Sequence, residues 1–235
     1  MTTDGERSLA RARSVRALLA AAKEILESDE ARADAEVLLA HALERSRAWL
    51  YTWPDFEPDA ARHALFRDLL VARERGEPIA YLTGHRAFWS LDLEVTPDVL
   101  IPRPETELLV ELALARMPVD APCAIADLGT GSGAIALALA RERPRARVLA
   151  TDASVAALGV ARGNAERLGI ANVGFAQGDW CAALATARFD LIVSNPPYIE
   201  TGDPHLGRGD LRHEPLSALA SGADGLDAIR AIVAA

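Results

Sequence analysis

Cys123 and Cys181 are the only cysteines in this 235-residue chain, and they lie far apart. No disulfide framework or zinc knuckle can be assembled from them, so they read as small buried hydrophobes in a reducing compartment. The five histidines (His41, His63, His85, His205 and His213) fall into no HExxH or comparable ligand spacing, which argues against a metal site. Lysine is nearly absent: Lys23 stands alone beside many Ala and Arg, a sign of codon bias rather than mechanism. Long apolar runs are missing too, since no stretch approaches the ~18 residues of a membrane span. The Arg-rich start, MTTDGERSLARARSVRALLAAAKEIL, is too broken by charge to be a secretory segment. A soluble, cytoplasmic, monomeric protein with no membrane partner is the expectation. Positive charge is also short: 25 Lys and Arg face 34 Asp and Glu, for a net charge of −9. Neutralising phosphates drives most non-specific nucleic-acid binding, so direct nucleic-acid partners are not expected.

What is present is an ordinary globular balance, 50% hydrophobic and 25% charged, long enough for one large domain or two modest ones. Residues 7–28 carry Leu9, Val15, Leu18, Leu19, Ile25 and Leu26 close to a helical stripe. Ser28 and Asp29 can cap a second helix with Val37, Leu38 and Leu39 inward. Pro58 suits the first turn of a third, with Leu65, Phe66, Leu69 and Leu70 on one side. A short segment from Pro78 to Thr83 meets Gly84, a natural helix stop. Residues 1–84 therefore read as a small helical domain with nearly balanced charge.

The period then changes. Leu91, Leu93 and Val95 alternate with Asp92 and Glu94, and with Ala87-Phe88-Trp89 they predict a β-hairpin linker over 85–101. Pro104 opens a helix with Glu105 and Glu107 in its first turn and Leu108, Leu109 and Leu112 facing inward. From Cys123 onward short apolar strands (CAIADLG, RVLATD, NVGFAQGD, FDLIVSN) alternate with helices, and Ser154 and Gly169 bound the second of those helices. The pattern predicts an α/β domain over 102–235 with a parallel sheet covered on both faces. Ligands of such sheets sit at the carboxyl ends of the strands.

Three features fall at those ends. The first strand runs into Asp127-Leu128-Gly129-Thr130-Gly131-Ser132-Gly133, and with Ala134 the string fits the dinucleotide fingerprint. Glycines allow the sharp turn and bring backbone amides close to an electron-rich group. A purely structural turn is the alternative. The second strand closes on Asp152, about 20 residues further on, where a carboxylate can accept ribose hydroxyls or, alternatively, cap the following helix. The third ends in Asp179-Trp180, where an adenine could lie on the Trp180 ring with Asp179 accepting from its amino group. A core tryptophan is the competing reading.

The fourth strand ends in Ser194-Asn195-Pro196-Pro197-Tyr198. Two prolines end a strand without comment, because proline cannot donate to the ladder. They do not account for the Asn before them or the Tyr after them. Behind a glycine loop, this string points to methyl transfer from S-adenosylmethionine onto a planar nitrogen. The Asn195 side-chain oxygen and the Pro196 carbonyl can each accept one N–H, orienting a nitrogen whose lone pair is delocalised. Pro196 and Pro197 hold the acceptors rigid, and Tyr198 can cover the flat substrate group. A sulfonium is already activated, so no general base is needed and alignment does most of the work.

The order of these motifs resembles the class I S-adenosylmethionine-dependent methyltransferases. Three further blocks narrow the resemblance: Gly76-Glu77-Pro78-Ile79-Ala80-Tyr81-Leu82-Thr83-Gly84, then Phe88-Trp89-Ser90, then Ile101-Pro102-Arg103-Pro104-Glu105-Thr106-Glu107. Together they are similar to the bacterial release factor glutamine methyltransferases. That resemblance implies a helical substrate-docking domain before a Rossmann-like catalytic domain. It implies S-adenosylmethionine at Gly129, Thr130, Gly131, Ser132, Gly133, Asp152, Trp180 and Asn195, with S-adenosylhomocysteine as product. It also implies a substrate glutamine at Asn195, Pro196, Pro197 and Tyr198, from the Gly-Gly-Gln loop of class 1 peptide chain release factors. Such a sheet has seven strands in that family, whereas four are countable here before the chain ends in a helix over 225–234. The C-terminal strands are therefore expected to be missing from this chain. Three rivals remain. They are an adenine-N6 methyltransferase of DNA or RNA, a non-catalytic cofactor-binding module, and a nicotinamide-dependent oxidoreductase, which Asn-Pro-Pro-Tyr disfavours.

Overall fold

The computed structural model describes residues 3–26 and 30–234. They form two compact units, one ending at Thr83 and the other starting at Gly84. None of the helices among the described residues is long and apolar enough to cross a membrane.

The first unit is helical: α1 (Thr3–Arg11), α2 (Val15–Ile25), α3 (Ala31–Leu43), α4 (Arg47–Thr52), α5 (Ala60–Glu74) and α6 (Ile79–Thr83). The stripe expected over 7–28 is two helices, because Ser14 is extended and its Oγ accepts the Ala17 N–H. That bond caps α2 and satisfies one of its unpaired donors. The cap expected from Ser28 and Asp29 lies outside the described residues. Leu9, Val15, Leu18, Leu38, Leu39, Leu43, Phe66 and Leu70 fill one core, while Val37 is half-buried. Two positions differ from expectation. Asp59, not Pro58, begins α5, its side chain accepting the Arg62 N–H at 2.9 Å, and Leu65 points outward. Helix α4 was not anticipated, since six residues are too few to show a period, although Ser46 caps it. Gly84 takes φ +76°, as a helix stop requires.

Glu36 on α3 is buried and accepts hydrogen bonds from Arg47 Nη2 (2.6 Å), Tyr51 Oη (2.5 Å) and Arg32 Nε (3.0 Å). Burial is the largest single influence and opposes its charge, but the three donors together outweigh it and hold the carboxyl at about 2.

The second unit begins with an antiparallel hairpin, β1 (His85–Phe88) and β2 (Leu91–Glu94). Phe88, Leu91 and Leu93 join the same core as Ile125, Leu137, Leu139 and Val148. The hairpin is thus part of this unit's core and not a linker. A short 3₁₀ turn (Pro104–Thr106) leads into α7 (Glu107–Arg116). The inward face expected for α7 is corrected: Val110 and Ala113 are buried, while Leu108 (57% exposed) and Leu112 face out. The sequence ELLVELALA is apolar on nearly every side, so its period cannot choose a face.

The rest is β3 (Ala124–Leu128), α8 (Ala134–Glu142), β4 (Arg147–Asp152), α9 (Val155–Leu168), β5 (Val173–Gln177), β6 (Leu191–Ser194) and α10 (Asp227–Val233). All four strands are parallel, in the order β5-β4-β3-β6, with Ala126 of β3 opposite Leu149 of β4 and Ile192 of β6. Ser154 and Gly169 bound α9 as the pattern predicts. From β3 the chain winds outward through β4 and β5, then returns to place β6 on the other side. The strand order therefore reverses between β3 and β6, where a crevice opens at the carboxyl ends.

Candidate active site

The glycine loop leaves β3 at this crevice. Gly129 has φ +71°, and a Cβ there would stand 3.3 Å from the Trp180 ring, so only glycine fits under it. The Thr130 N–H donates to the Thr151 carbonyl (2.9 Å), and the Gly131 N–H donates to Asp152 Oδ2 (2.9 Å). Gly133, at φ +86°, caps α8, and a Cβ there would press on Leu137 (3.0 Å) and Ala161 (3.2 Å). It serves helix packing and does not line the cavity, unlike the four residues before it.

Asp127, just before the loop, is fully buried. Its Oδ2 accepts from Thr130 Oγ1 (2.7 Å) and the Ala136 N–H (3.2 Å), while Oδ1 has no hydrogen-bond partner among the described residues. Burial pushes its carboxyl up to about 6, helped by the nearby Asp152 charge and opposed by those two hydrogen bonds. Asp127 is a site residue that the loop's sequence alone does not announce. Its sequence signal is its position as the acidic residue opening the glycine string.

A cavity of about 330 Å³ lies over the loop, lined by Gly129, Thr130, Gly131, Ser132, Asp152, Asp179, Trp180, Asn195 and Pro197. Asp152 closes β4 on the cavity wall, while the cap of the following helix is Ser154, whose Oγ accepts the Ala157 N–H. Asp152 Oδ1 accepts the Ser154 N–H at 2.9 Å, Oδ2 accepts from the loop, and a carboxylate keeps further lone pairs for hydroxyls. Trp180 shares both readings: it is half-buried, at φ +43°, and packs against the buried Ala126, Leu128 and Leu184 on one side while standing over Gly129 in the cavity lining. The cavity is also lined by Pro97, Val99, Leu100, Pro102, Pro215 and Ser217, to which the sequence assigned no part in a site.

β6 delivers the second half of the site. Ser194 Oγ donates to the Leu128 carbonyl (2.7 Å), fixing the strand end against β3. Asn195 and Pro197 border both the first cavity and a second one of about 570 Å³, to which Pro196 and Tyr198 also belong. Tyr198 is 65% exposed at its mouth, beside the outward Leu108 and Leu112. The Ile199 N–H donates to the Leu219 carbonyl (3.0 Å) and the Ser221 N–H to the Ile199 carbonyl (2.8 Å), pinning the chain just after the motif. One cavity offers a ring, a carboxylate and a glycine loop. The other offers an amide and a prolyl carbonyl, and the two meet at Asn195.

Glu214 and Asn164 are structural residues the sequence did not reveal. Buried Glu214 accepts from the Ile101 N–H (3.2 Å) and pairs with Arg103, tying the chain near Pro215 to the Ile101–Glu107 segment. Buried Asn164 donates to the carbonyls of Ser132 (3.0 Å) and Glu94 (2.9 Å), joining the glycine loop to β2. Both contacts link residues far apart in sequence, which local patterns do not report. Among the described residues no cluster of His, Cys, Asp and Glu is suited to a metal ion.

Known proteins match this architecture in both units. The PrmC N-terminal domain model matches residues 15–84, and the methyltransferase small domain model matches residues 105–207. A release factor glutamine methyltransferase of Xylella fastidiosa (strain 9a5c) is 57% identical over 218 residues, covering 93% of this chain and 78% of the relative. Its counterpart in Pseudomonas aeruginosa is 51% identical, covering 88% of this chain and 75% of its own. That of Escherichia coli (strain K12) is 48% identical, at 88% and 74%. With a methyltransferase domain behind a helical one and relatives this similar over most of both chains, the protein belongs to the release factor glutamine methyltransferase family.

Proposed function

We propose that this protein transfers a methyl group from S-adenosylmethionine to the side-chain nitrogen (N5) of the glutamine in the Gly-Gly-Gln loop of class 1 peptide chain release factors. The observation that carries this reading is the meeting of the two cavities at Asn195. The residues of the first cavity fit the cofactor: a ring, a carboxylate with free lone pairs, and a loop whose Gly129 leaves space beneath Trp180. Trp180 would hold the adenine and Asp152 the ribose, with Gly129, Thr130, Gly131 and Ser132 around the remainder.

S-adenosylmethionine supplies an activated methyl on a sulfonium. The chain's own task is to present the nitrogen. The Asn195 side-chain oxygen and the Pro196 carbonyl accept its two N–H hydrogens, which turns its lone pair toward the first cavity and stabilises the positive charge that develops. The Pro196 carbonyl belongs to a rigid prolyl backbone, and the Asn195 side-chain oxygen is the acceptor that its own neighbours must hold in place, so that little reorganisation is needed as that charge grows. Once the methyl is on the nitrogen, one of those two protons leaves to solvent and the neutral N-methyl amide remains. Tyr198, with Leu108 and Leu112 outside it, covers the flat substrate group and keeps water away. A protein loop needs no basic groove, so the net charge of −9 is compatible with this substrate and less so with a nucleic acid. The helical unit is the surface proposed to dock the release factor.

Incubation with methyl-labelled S-adenosylmethionine and a purified class 1 release factor tests the proposal. Label on the Gly-Gly-Gln glutamine is the expected result. Label confined to DNA or RNA in the same mixture would replace it with the adenine-N6 reading.

A further inference from the structure

The Ile101–Glu107 block is distinctive in sequence, yet none of its residues has a role in the chemistry so far. In the structure it runs past the junction of the two cavities. Its Thr106 Oγ1 lies 3.4 Å from Asn195 Nδ2, at hydrogen-bonding distance, and both side chains border both cavities. From this geometry we infer that Thr106 is a positioning residue, holding the plane of the Asn195 amide so that its oxygen is presented to the substrate nitrogen.

An asparagine side chain turns about a soft, roughly two-fold torsion, so packing alone fixes its plane poorly. If Nδ2 is bound to Thr106, Oδ1 must lie on the other side of the amide. A hydroxyl can donate or accept. Thr106 therefore fixes the plane, and the substrate's N–H selects the orientation in which Oδ1 faces it. Thr106 is itself held. Its N–H donates to the Arg103 carbonyl (3.0 Å), it closes the 3₁₀ turn where that turn runs into α7, and buried Glu214 anchors the segment through Arg103 and the Ile101 N–H (3.2 Å). An acceptor that must be in place before charge develops gains from such support, since looseness of about 0.5 Å already harms a catalytic constellation.

This inference rests on the proposed function, and its test separates the two. Thr106→Val keeps the shape and removes the hydroxyl, whereas Thr106→Ser keeps the hydroxyl. The expected result is a kcat about tenfold lower for Thr106→Val, with unchanged affinity for S-adenosylhomocysteine, and kcat within twofold of the parent for Thr106→Ser. The side-chain amide of Asn195 gives a second reading by nitrogen-15 NMR that needs no methyl transfer. Its hydrogens should exchange several-fold faster in Thr106→Val and at the parent rate in Thr106→Ser. Unchanged amide exchange in Thr106→Val would overturn the inference whatever the protein methylates. So would a loss of cofactor affinity equal to the loss of kcat. A parent protein that labels no release factor but shows the expected exchange would overturn the function and leave the positioning role standing.

Discussion

Glu36 and Asp127, one in each unit, are both buried carboxylates, and their surroundings treat them in opposite ways. Glu36 in the helical unit has two guanidinium groups and a phenol around it, and is held ionised at about 2. Asp127 in the methyltransferase unit has a hydroxyl and one backbone N–H on a single oxygen, no partner among the described residues on the other, and is pushed up to about 6. Burial opposes the charge of both, so the difference lies in the donors. The first arrangement closes on itself: three donors, one acceptor and a helix tied to α4 by Arg47 and Tyr51. The second is left incomplete beneath the loop that faces the cavity. Incomplete satisfaction costs stability and is retained where something else is gained, which is the usual mark of a working site.

The largest effect expected from this contrast is on pH dependence. A carboxyl raised on folding contributes most to stability below its unfolded value near 4, and that contribution disappears as pH rises through about 6. Asp127→Asn removes the dependence. Its stability relative to the parent should rise by up to about 3 kcal/mol between pH 4 and pH 7.5, read by urea unfolding. No change in that difference would mean that the buried oxygen is in fact satisfied. Glu36 has the opposite sign. Its contribution is present above about 4.5 and falls as pH drops toward 2. Glu36→Gln should therefore cost about 2 kcal/mol at pH 7 while leaving cofactor affinity unchanged, because the cluster serves the helical unit alone. Loss of cofactor binding in that variant would dissolve the contrast. The smallest effect is expected at Asp152, where replacement by Ala should weaken S-adenosylmethionine binding about tenfold, or roughly 1.4 kcal/mol. Unchanged affinity would remove the ribose assignment and leave Asp152 as support for Gly131 and Ser154.

The sequence showed the parts of this molecule that depend on neighbours in the chain. Strands β3 to β6, the caps at Ser154 and Gly169, the glycine loop and Asn195-Pro196-Pro197-Tyr198 are each written in a few consecutive residues. What remained hidden depends on distant partners. The buried face of α7 is chosen by its packing on α8 and β6, and an almost uniformly apolar helix cannot announce it. Gly133 fits the fingerprint but answers to Leu137 and Ala161 and not to the cavity. Glu214 and Asn164 look like ordinary polar residues until the fold brings Arg103 and Ser132 to them. The raised carboxyl of Asp127 follows from its surroundings, which a strand pattern does not describe.

The proposed function divides the labour between two cavities: the first would hold the cofactor, and Asn195 would serve the nitrogen that receives the methyl. Asn195→Ala tests it most directly, with kcat on a release factor and the Kd of S-adenosylmethionine measured on the same preparation. The predicted result is a kcat about 10²–10³-fold lower, as for the loss of one group that stabilises a developing charge, with Kd within about threefold of the parent. Equal losses in kcat and in cofactor affinity would contradict it, and would make Asn195 a cofactor ligand rather than the substrate's acceptor.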